Sequence, residues 1–75
     1  MEDLVEFIAK SLVEEPERVS VQRKETRRST ILKLRVAPDD TGRVIGKSGR
    51  VANAMRSLLR ASTRQSDRAV ILEID

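Results

Sequence analysis

Apolar side chains near the N-terminus recur at intervals of three and four residues, the spacing of one face of an α-helix. This face comprises Leu4, Phe7, Ile8, Ser11 and Leu12, and it is widened by Val5 and Val13. The spacing predicts a helix from Asp3 to about Glu15. Pro16 should end the helix, because the residue before a proline is disfavoured in the α region. Phe7 is the single aromatic residue of the chain, and we expect it to lie in the core.

Beyond Pro16 the apolar period changes to two, which predicts half-buried strands. Two strands are expected at residues 19–25 and 30–36, with a hairpin connection at 26–29. A third strand should follow a turn at residues 66–67. The positions expected to face the core are Val19, Val21, Leu32, Leu34, Val36, Val70, Leu72 and Ile74. Ile31 falls on the opposite face of the second strand, and the alternation does not explain it.

Helical spacing returns between the second and third strands. A short helix is expected to begin near residues 38–40, since Asp39 and Asp40 favour a helix N-terminus, and to end at Gly46. A longer helix is expected over residues 49–62. The residues expected on its buried face are Val51, Ala52, Met55, Leu58, Leu59 and Ser62. The residues expected to point away from the sheet are Arg56, Arg60 and Arg64.

The order of elements, α-β-β-α-α-β, predicts an α+β fold in a single domain over residues 1–75. The three strands should form a mixed sheet with the three helices packed on one face. A hairpin should make the first two strands antiparallel. The helical crossover should bring the third strand parallel to the second, with a right-handed connection.

The charges are unevenly distributed along the chain. The 75 residues carry 15 basic and 12 acidic side chains, a net charge of +3. Residues 1–17 hold six acids and one base, whereas residues 18–36 hold seven bases and one acid. Six further bases and no acid lie between Thr41 and Ser66. A basic surface of this kind suits a polyanion, although arginines that merely solvate exposed faces would give the same distribution.

Composition also narrows the chemistry. The sequence contains no cysteine and no histidine, which removes thiol chemistry and the commonest general base and metal ligand. We therefore expect no catalytic activity, no cofactor and no metal site. No apolar run approaches the ~20 residues that span a membrane, and the acidic N-terminal segment does not resemble a secretory signal. We expect a cytoplasmic location and no membrane partner.

The most informative segment lies at residues 42–50 and has the sequence GRVIGKSGR. It is not a nucleotide-binding P-loop, which places four residues between its first glycine and Gly-Lys-Ser/Thr, whereas three separate Gly42 from Gly46. Residues 46–49 form Gly-x-x-Gly, with an apolar pair before them and a basic amphipathic helix after them. A lone Gly-x-x-Gly would fit any tight turn between helices. The flanking residues and the order of elements together resemble the K-homology (KH) pattern.

The resemblance covers essentially the whole chain and is to the type II KH arrangement. It is most specific to small bacterial RNA-binding proteins that consist of one KH domain, in which Gly-Arg-Val-Ile-Gly-Lys-x-Gly-Arg is typical. The resemblance implies sequence-tolerant, non-catalytic binding of single-stranded RNA by a post-transcriptional regulator or RNA chaperone. The residues it places on the RNA backbone are Gly46, Lys47, Ser48 and Gly49, flanked by Arg43 and Arg50. The residues it places in a base groove are Val44, Ile45, Val51, Ala69 and Val70, beside a variable loop at 62–68.

Ala52 departs from the family pattern, because the general KH motif has isoleucine three residues after the second glycine. The groove floor is therefore expected to be shallower or rearranged. The resemblance also implies a homodimer, or a heterodimer with a larger KH-containing RNA-binding protein. The alternative hypothesis is accordingly a protein-interaction module that acts mainly through dimerisation. Ile31 and the small residues Ala52, Ala54 and Ala61 would suit such an interface, although ordinary helix surfaces look similar. Aspartates in place of Lys47 and Ser48 would separate the two hypotheses.

Overall fold

In the computed structural model, which describes residues 1–63 and 69–75, three strands form one mixed sheet. The strands are β1 (Ser20–Glu25), β2 (Ser29–Arg35) and β3 (Ala69–Ile74), in the order β1-β2-β3. The helices are α1 (Glu2–Leu12), α2 (Thr41–Ile45) and α3 (Arg50–Thr63). Short 3₁₀ turns lie at Pro16–Arg18, Pro38–Asp40 and Lys47–Gly49. The predicted fold class and the order α-β-β-α-α-β are confirmed.

Strand directions also agree with the prediction. β1 and β2 are antiparallel, with Val21 opposite Leu34, and β2 and β3 are parallel, with Leu32 opposite Leu72. The hairpin at residues 26–29 is closed by Thr26, whose N–H donates to the Ser29 carbonyl oxygen at 2.8 Å. The crossover through α2 and α3 therefore places β3 at an edge of the sheet, next to β2.

The core lies between the helices and one face of the sheet. Leu32 and Leu34 of β2 are fully buried, and Leu72 of β3 is almost fully buried. The helical residues packed into the same cluster are Val5, Ala9, Val44, Met55 and Leu59. Ile31 lies on the other sheet face, opposite Ile71 of β3. This cross-strand pair accounts for the apolar residue that alternation alone left unexplained.

Helix α1 is shorter than predicted and buries only part of the predicted stripe, the part that contains Val5 and Ile8. Val5 and Ala9 are fully buried, whereas Phe7 is 70% exposed and Leu4 is 36% exposed. Placing Phe7 in the core was therefore wrong. Two adjacent stripes of α1 satisfy the three-and-four spacing, and the stripe with the small Ala9 side chain lets the helix approach the sheet closely. Leu12, the last residue of the helix, is likewise exposed, at 40%.

Helix α3 also differs from its predicted faces. Ala52, Met55 and Leu59 are buried, but Leu58 is 48% exposed and Ser62 is exposed, so both were misplaced. The buried stripe is narrower than the sequence spacing allowed. Met55 and Leu59 fill it, and Leu58 lies one residue, about 100° of helical rotation, away from Leu59.

The three arginines of this region have three different outcomes. Arg56 was predicted to point away from the sheet, and this was wrong, because it is half-buried and donates a hydrogen bond to the Leu72 carbonyl oxygen. Arg60 is exposed, as predicted. Arg64 lies outside the described residues, as do the predicted turn at 66–67 and most of the predicted variable loop.

Candidate nucleic-acid interface

The turn between α2 and α3 requires glycine at two positions. Gly46 and Gly49 have φ values of 78° and 75°, a region that side chains disfavour. A Cβ on Gly46 would lie 2.6 Å from the Val51 Cγ2 atom and 2.9 Å from the Val51 backbone nitrogen. A Cβ on Gly49 would lie 3.7 Å from the nearest such atom, the Asn53 Nδ2, so there only the backbone conformation favours glycine. Close packing of Val51 therefore fixes the shape of the turn at Gly46.

The tip of the turn is polar, exposed and strained. Ser48 has a φ of 57° although it is not glycine, a conformation that costs about 1 kcal/mol. Lys47 and Ser48 are both exposed. Within the described part of the chain, their backbone N–H groups have no hydrogen-bond acceptor, whereas Gly49 N–H donates to the Gly46 carbonyl oxygen at 3.1 Å. Free N–H groups before a helix, beside a lysine, form a site that attracts an anion.

Arg50 and Arg43 lie on either side of this turn in different environments. Arg50 is exposed at the start of α3, and among residues 1–63 and 69–75 it has no ion-pair partner. Arg43 donates to the Glu14 carboxylate at 2.9 Å, and its Nε lies 3.3 Å from the Asp40 Oδ1. The Arg43 guanidinium is therefore held by two carboxylates, while the Arg50 guanidinium faces solvent.

Asp40 anchors the turn to the rest of the fold, a role that sequence reasoning missed. The sequence indicated only a helix cap, but the buried Asp40 carboxylate makes no capping bond to α2. Its two oxygens instead accept hydrogen bonds from the Glu14 and Glu15 N–H groups, each at 3.1 Å. These bonds hold residues 14 and 15 outside the helix and explain why α1 ends at Leu12. The i, i+3 spacing of Asp40 and Arg43 was the available sequence signal for the ion pair.

The apolar residues predicted to line a base groove have unequal access to solvent. Val44 is fully buried in the core cluster and offers no surface to a base. Ile45 and Val51 are half-buried on the two sides of Gly46. Ala52 is also buried, and the larger Met55 beside it fills the core. The accessible apolar floor therefore consists of Ile45 and Val51, next to the glycine turn.

Strand β3 presents an open edge on its side away from β2. Ala69 N–H donates to the Arg28 carbonyl oxygen at 3.0 Å, and Asp75 N–H donates to that of Leu34 at 2.9 Å, so these two residues face β2. Because backbone directions alternate along a strand, Val70 and Leu72 direct their N–H and C=O groups to the open edge. Of the predicted pair Ala69 and Val70, only Val70 thus offers backbone groups there.

Arg56 connects α3 to this open edge. Its Nη2 donates to the Leu72 carbonyl oxygen at 3.2 Å, and its Nη1 donates to the Asn53 Oδ1 at 3.3 Å. Asn53 lies one helical turn closer to the glycine turn, beside Gly49. A line of polar side chains thus runs from the turn along α3 to β3.

Comparison with known proteins agrees with this geometry. The family model described as "KhpA/KhpB, KH domain" matches residues 2–74. The chain belongs to the KhpA/KhpB family of KH-domain proteins. This confirms the resemblance found in the sequence. The family is non-catalytic, in agreement with the prediction from composition.

Bacterial relatives match along nearly the whole chain. A protein of Clostridium perfringens named RNA-binding protein KhpA is 47% identical over 74 residues, which cover 99% of both chains. The protein of that name from Borreliella burgdorferi is 47% identical over 72 residues, or 96% of this chain and 88% of the relative. That of Aquifex aeolicus is 42% identical over 74 residues, or 99% and 94%. No solved structure gives a significant match.

Two further observations bear on alternative functions. Within residues 1–63 and 69–75, no group of three or more acidic, histidine or cysteine side chains is arranged to hold a metal ion. In the same residues, no helix has the length and apolar character needed to cross a membrane.

Proposed function

We propose that this KH-domain protein binds single-stranded RNA in the cytoplasm and holds the RNA backbone against Gly46, Lys47, Ser48 and Gly49. The observation that supports this most directly is the glycine turn, which combines two positive φ values, an exposed lysine and free N–H groups at the start of α3. The names of the relatives, which are RNA-binding proteins, favour RNA as the polyanion. A role as post-transcriptional regulator or RNA chaperone fits such a binding activity.

In this proposal each part of the turn has a separate task. A phosphate accepts hydrogen bonds from the Lys47 and Ser48 N–H groups, and the positive end of the α3 dipole favours its charge. The Lys47 ammonium and the Arg50 guanidinium add Coulomb attraction along the backbone path. Arg43 acts indirectly, because its pairs with Glu14 and Asp40 fix α2 and so the entry to the turn.

Base contacts in this proposal are apolar and weakly selective near the turn. Ile45 and Val51 supply the floor on which a base lies, and Val70 supplies backbone groups at the edge of β3. The single aromatic residue, Phe7, is on α1, so the stacking contacts that other folds use are not available in the groove. Backbone contacts should therefore dominate the affinity, which should fall steeply with salt.

Replacing Lys47 and Ser48 together with aspartate tests whether residues 46–49 hold the RNA backbone, the role that we call the RNA clamp. K47D/S48D should lose at least tenfold in affinity for a fluorescent eight-nucleotide RNA at low salt, because two negative charges would face the phosphate. A matched control exists in the chain, since Lys10 and Ser11 form the same dipeptide on the exposed side of α1. K10D/S11D makes the same change of charge away from the turn and should retain most of the affinity. An equal loss of RNA affinity in the two variants, or no loss in K47D/S48D, would contradict the RNA clamp.

Dimerisation is a second candidate function, and one surface favours it. Leu58 is 48% exposed on α3, and the small residues Ala54 and Ala61, four before and three after it, are exposed too. Small side chains around a protruding leucine permit close contact between helices. We propose this face for a homodimer or for a heterodimer with a larger KH-containing RNA-binding protein.

Sedimentation equilibrium measures this assembly directly. The wild type should show a concentration-dependent mass between one and two chains, and L58E should remain monomeric with an unchanged circular dichroism spectrum, because Leu58 is not part of the core. A wild type that stays monomeric at all concentrations would rule out the homodimer. The RNA affinity of L58E then shows whether binding depends on assembly.

A further inference from the structure

Arg56 lies two helical turns beyond the glycine turn on α3 and is held in place by two hydrogen bonds. Its guanidinium is half-buried and uses one N–H of Nη1 on the Asn53 Oδ1 and one N–H of Nη2 on the Leu72 carbonyl oxygen. An arginine carries five N–H donors in a planar, rigid group. Among the residues that the structure describes, three donors therefore have no acceptor, and the two existing bonds fix the plane in which they point. Such preorganisation lowers the entropy that a ligand contact would otherwise cost.

Arg56 lies next to the open edge of β3, where a base of a bound RNA would contact the strand. Leu72, whose carbonyl oxygen Arg56 bonds, directs its backbone groups to the open edge of the strand. A depression of about 440 Å³ reaches this edge from the sheet face opposite the core, on which Lys33 and Glu73 lie side by side. Its lining residues are Lys33, Arg56, Leu72, Glu73, Ile74 and Asp75. From Gly49, the end of the turn, to Arg56 is about 10 Å along the α3 axis, at ~1.5 Å per residue. A strand held at the turn can thus place a neighbouring base beside the guanidinium.

We propose that Arg56 selects the base at this edge and gives the protein a preference for cytosine or guanine. This inference rests on the proposed RNA clamp. A guanidinium has donors and no acceptor, so it pairs best with two adjacent acceptors. Cytosine offers O2 and N3, and guanine offers O6 and N7. Adenine and uracil place an N–H donor next to each acceptor along these edges, and they leave one arginine donor unpaired.

Asn53 has a supporting task in this arrangement. Its Oδ1 holds the Nη1 of Arg56, and its amide lies beside Gly49, where the clamped backbone would pass. Removing the amide would free the guanidinium to rotate without removing its charge. N53A should therefore weaken selectivity more than it weakens overall binding.

The test compares R56K with the wild type on three eight-nucleotide RNAs: oligo(C), oligo(A) and oligo(U). R56K keeps the positive charge but loses the planar donor pair. The wild type should bind oligo(C) about tenfold more tightly than the other two, the size of one bidentate base contact. In R56K the affinities should agree within about twofold, with oligo(A) binding as in the wild type. An alternating guanine–adenine RNA should behave like oligo(C).

The outcomes separate this inference from the clamp itself. Equal wild-type affinity for all RNAs, or a preference that survives in R56K, would overturn the role of Arg56 while leaving the clamp intact. An equal loss for every RNA in R56K would assign Arg56 to the phosphate backbone and also overturn it. R56Q provides a second variant if R56K is poorly folded. Failure of the wild type to bind any RNA would overturn the proposed function, and the base preference with it.

Discussion

Glycine at position 46 is required by its neighbours as well as by its backbone angle. Its φ of 78° is unfavourable for a residue with a side chain. The atoms that an added Cβ would meet include the Val51 backbone nitrogen at 2.9 Å, which cannot move without displacing α3. Gly42, which precedes it by four residues, lies inside α2, where an added Cβ would have no such atom within 4 Å. The two glycines of one motif therefore have opposite tolerance for substitution.

Alanine substitution should destabilise the protein at Gly46 but not at Gly42. G46A should lower the free energy of unfolding by about 2 kcal/mol or more, because a φ of 78° with a ψ of 171° is essentially restricted to glycine and the added Cβ would also contact Val51. G42A should be neutral or raise it by up to ~1 kcal/mol, because alanine is the better helix former. Urea unfolding followed by circular dichroism measures both. A G46A protein as stable as the wild type would show that the turn is not held in this conformation.

At the scale of elements, apolar periodicity correctly predicted which strand residues face the core. It did not predict which side of a helix is buried where two adjacent helical faces fit the same spacing. The alternation in β2 and β3 identified Leu32, Leu34 and Leu72 correctly, since a strand has only two faces. In α1, adjacent stripes fit the helical spacing equally well, and only the packing against the sheet shows that Val5 lies inside and Phe7 outside.

The end of α1 depended on a contact that no local pattern contains. Residues 13–15 are compatible with a helix, but the Asp40 carboxylate, 25 and 26 residues away in sequence, bonds the Glu15 and Glu14 N–H groups. The same holds for Arg56, whose contact with Leu72 spans 16 residues. The glycine turn was predictable because its spacing and flanking residues are local, whereas the contacts that position it are not.

At the scale of the whole molecule, acidic residues are concentrated near the N-terminus, and basic residues lie at the glycine turn. The acids of residues 1–17 include Glu14, which neutralises Arg43, and Glu2, which pairs with Arg23 of β1. Cations near the acidic helix are thus partly neutralised within the protein. Lys47 and Arg50 at the glycine turn have no ion-pair partner among residues 1–63 and 69–75, so they remain available to a polyanion.

This division predicts which arginine next to the turn contributes to the salt dependence of RNA binding. Each phosphate neutralised on a single strand adds about 0.7 to the magnitude of the slope of log K against log salt concentration. R50Q should reduce the slope by about that amount, whereas R43Q should leave it unchanged. R43Q should also lower the free energy of unfolding by about 1 kcal/mol or more, because the buried Asp40 carboxylate would lose its cation, whereas the pair with Glu14 is exposed. Anisotropy titrations from about 50 to 200 mM salt measure the slopes. K10Q, which removes one charge from α1, is the control. A reduced slope in R43Q would place Arg43 on the phosphate path, as the sequence resemblance first implied.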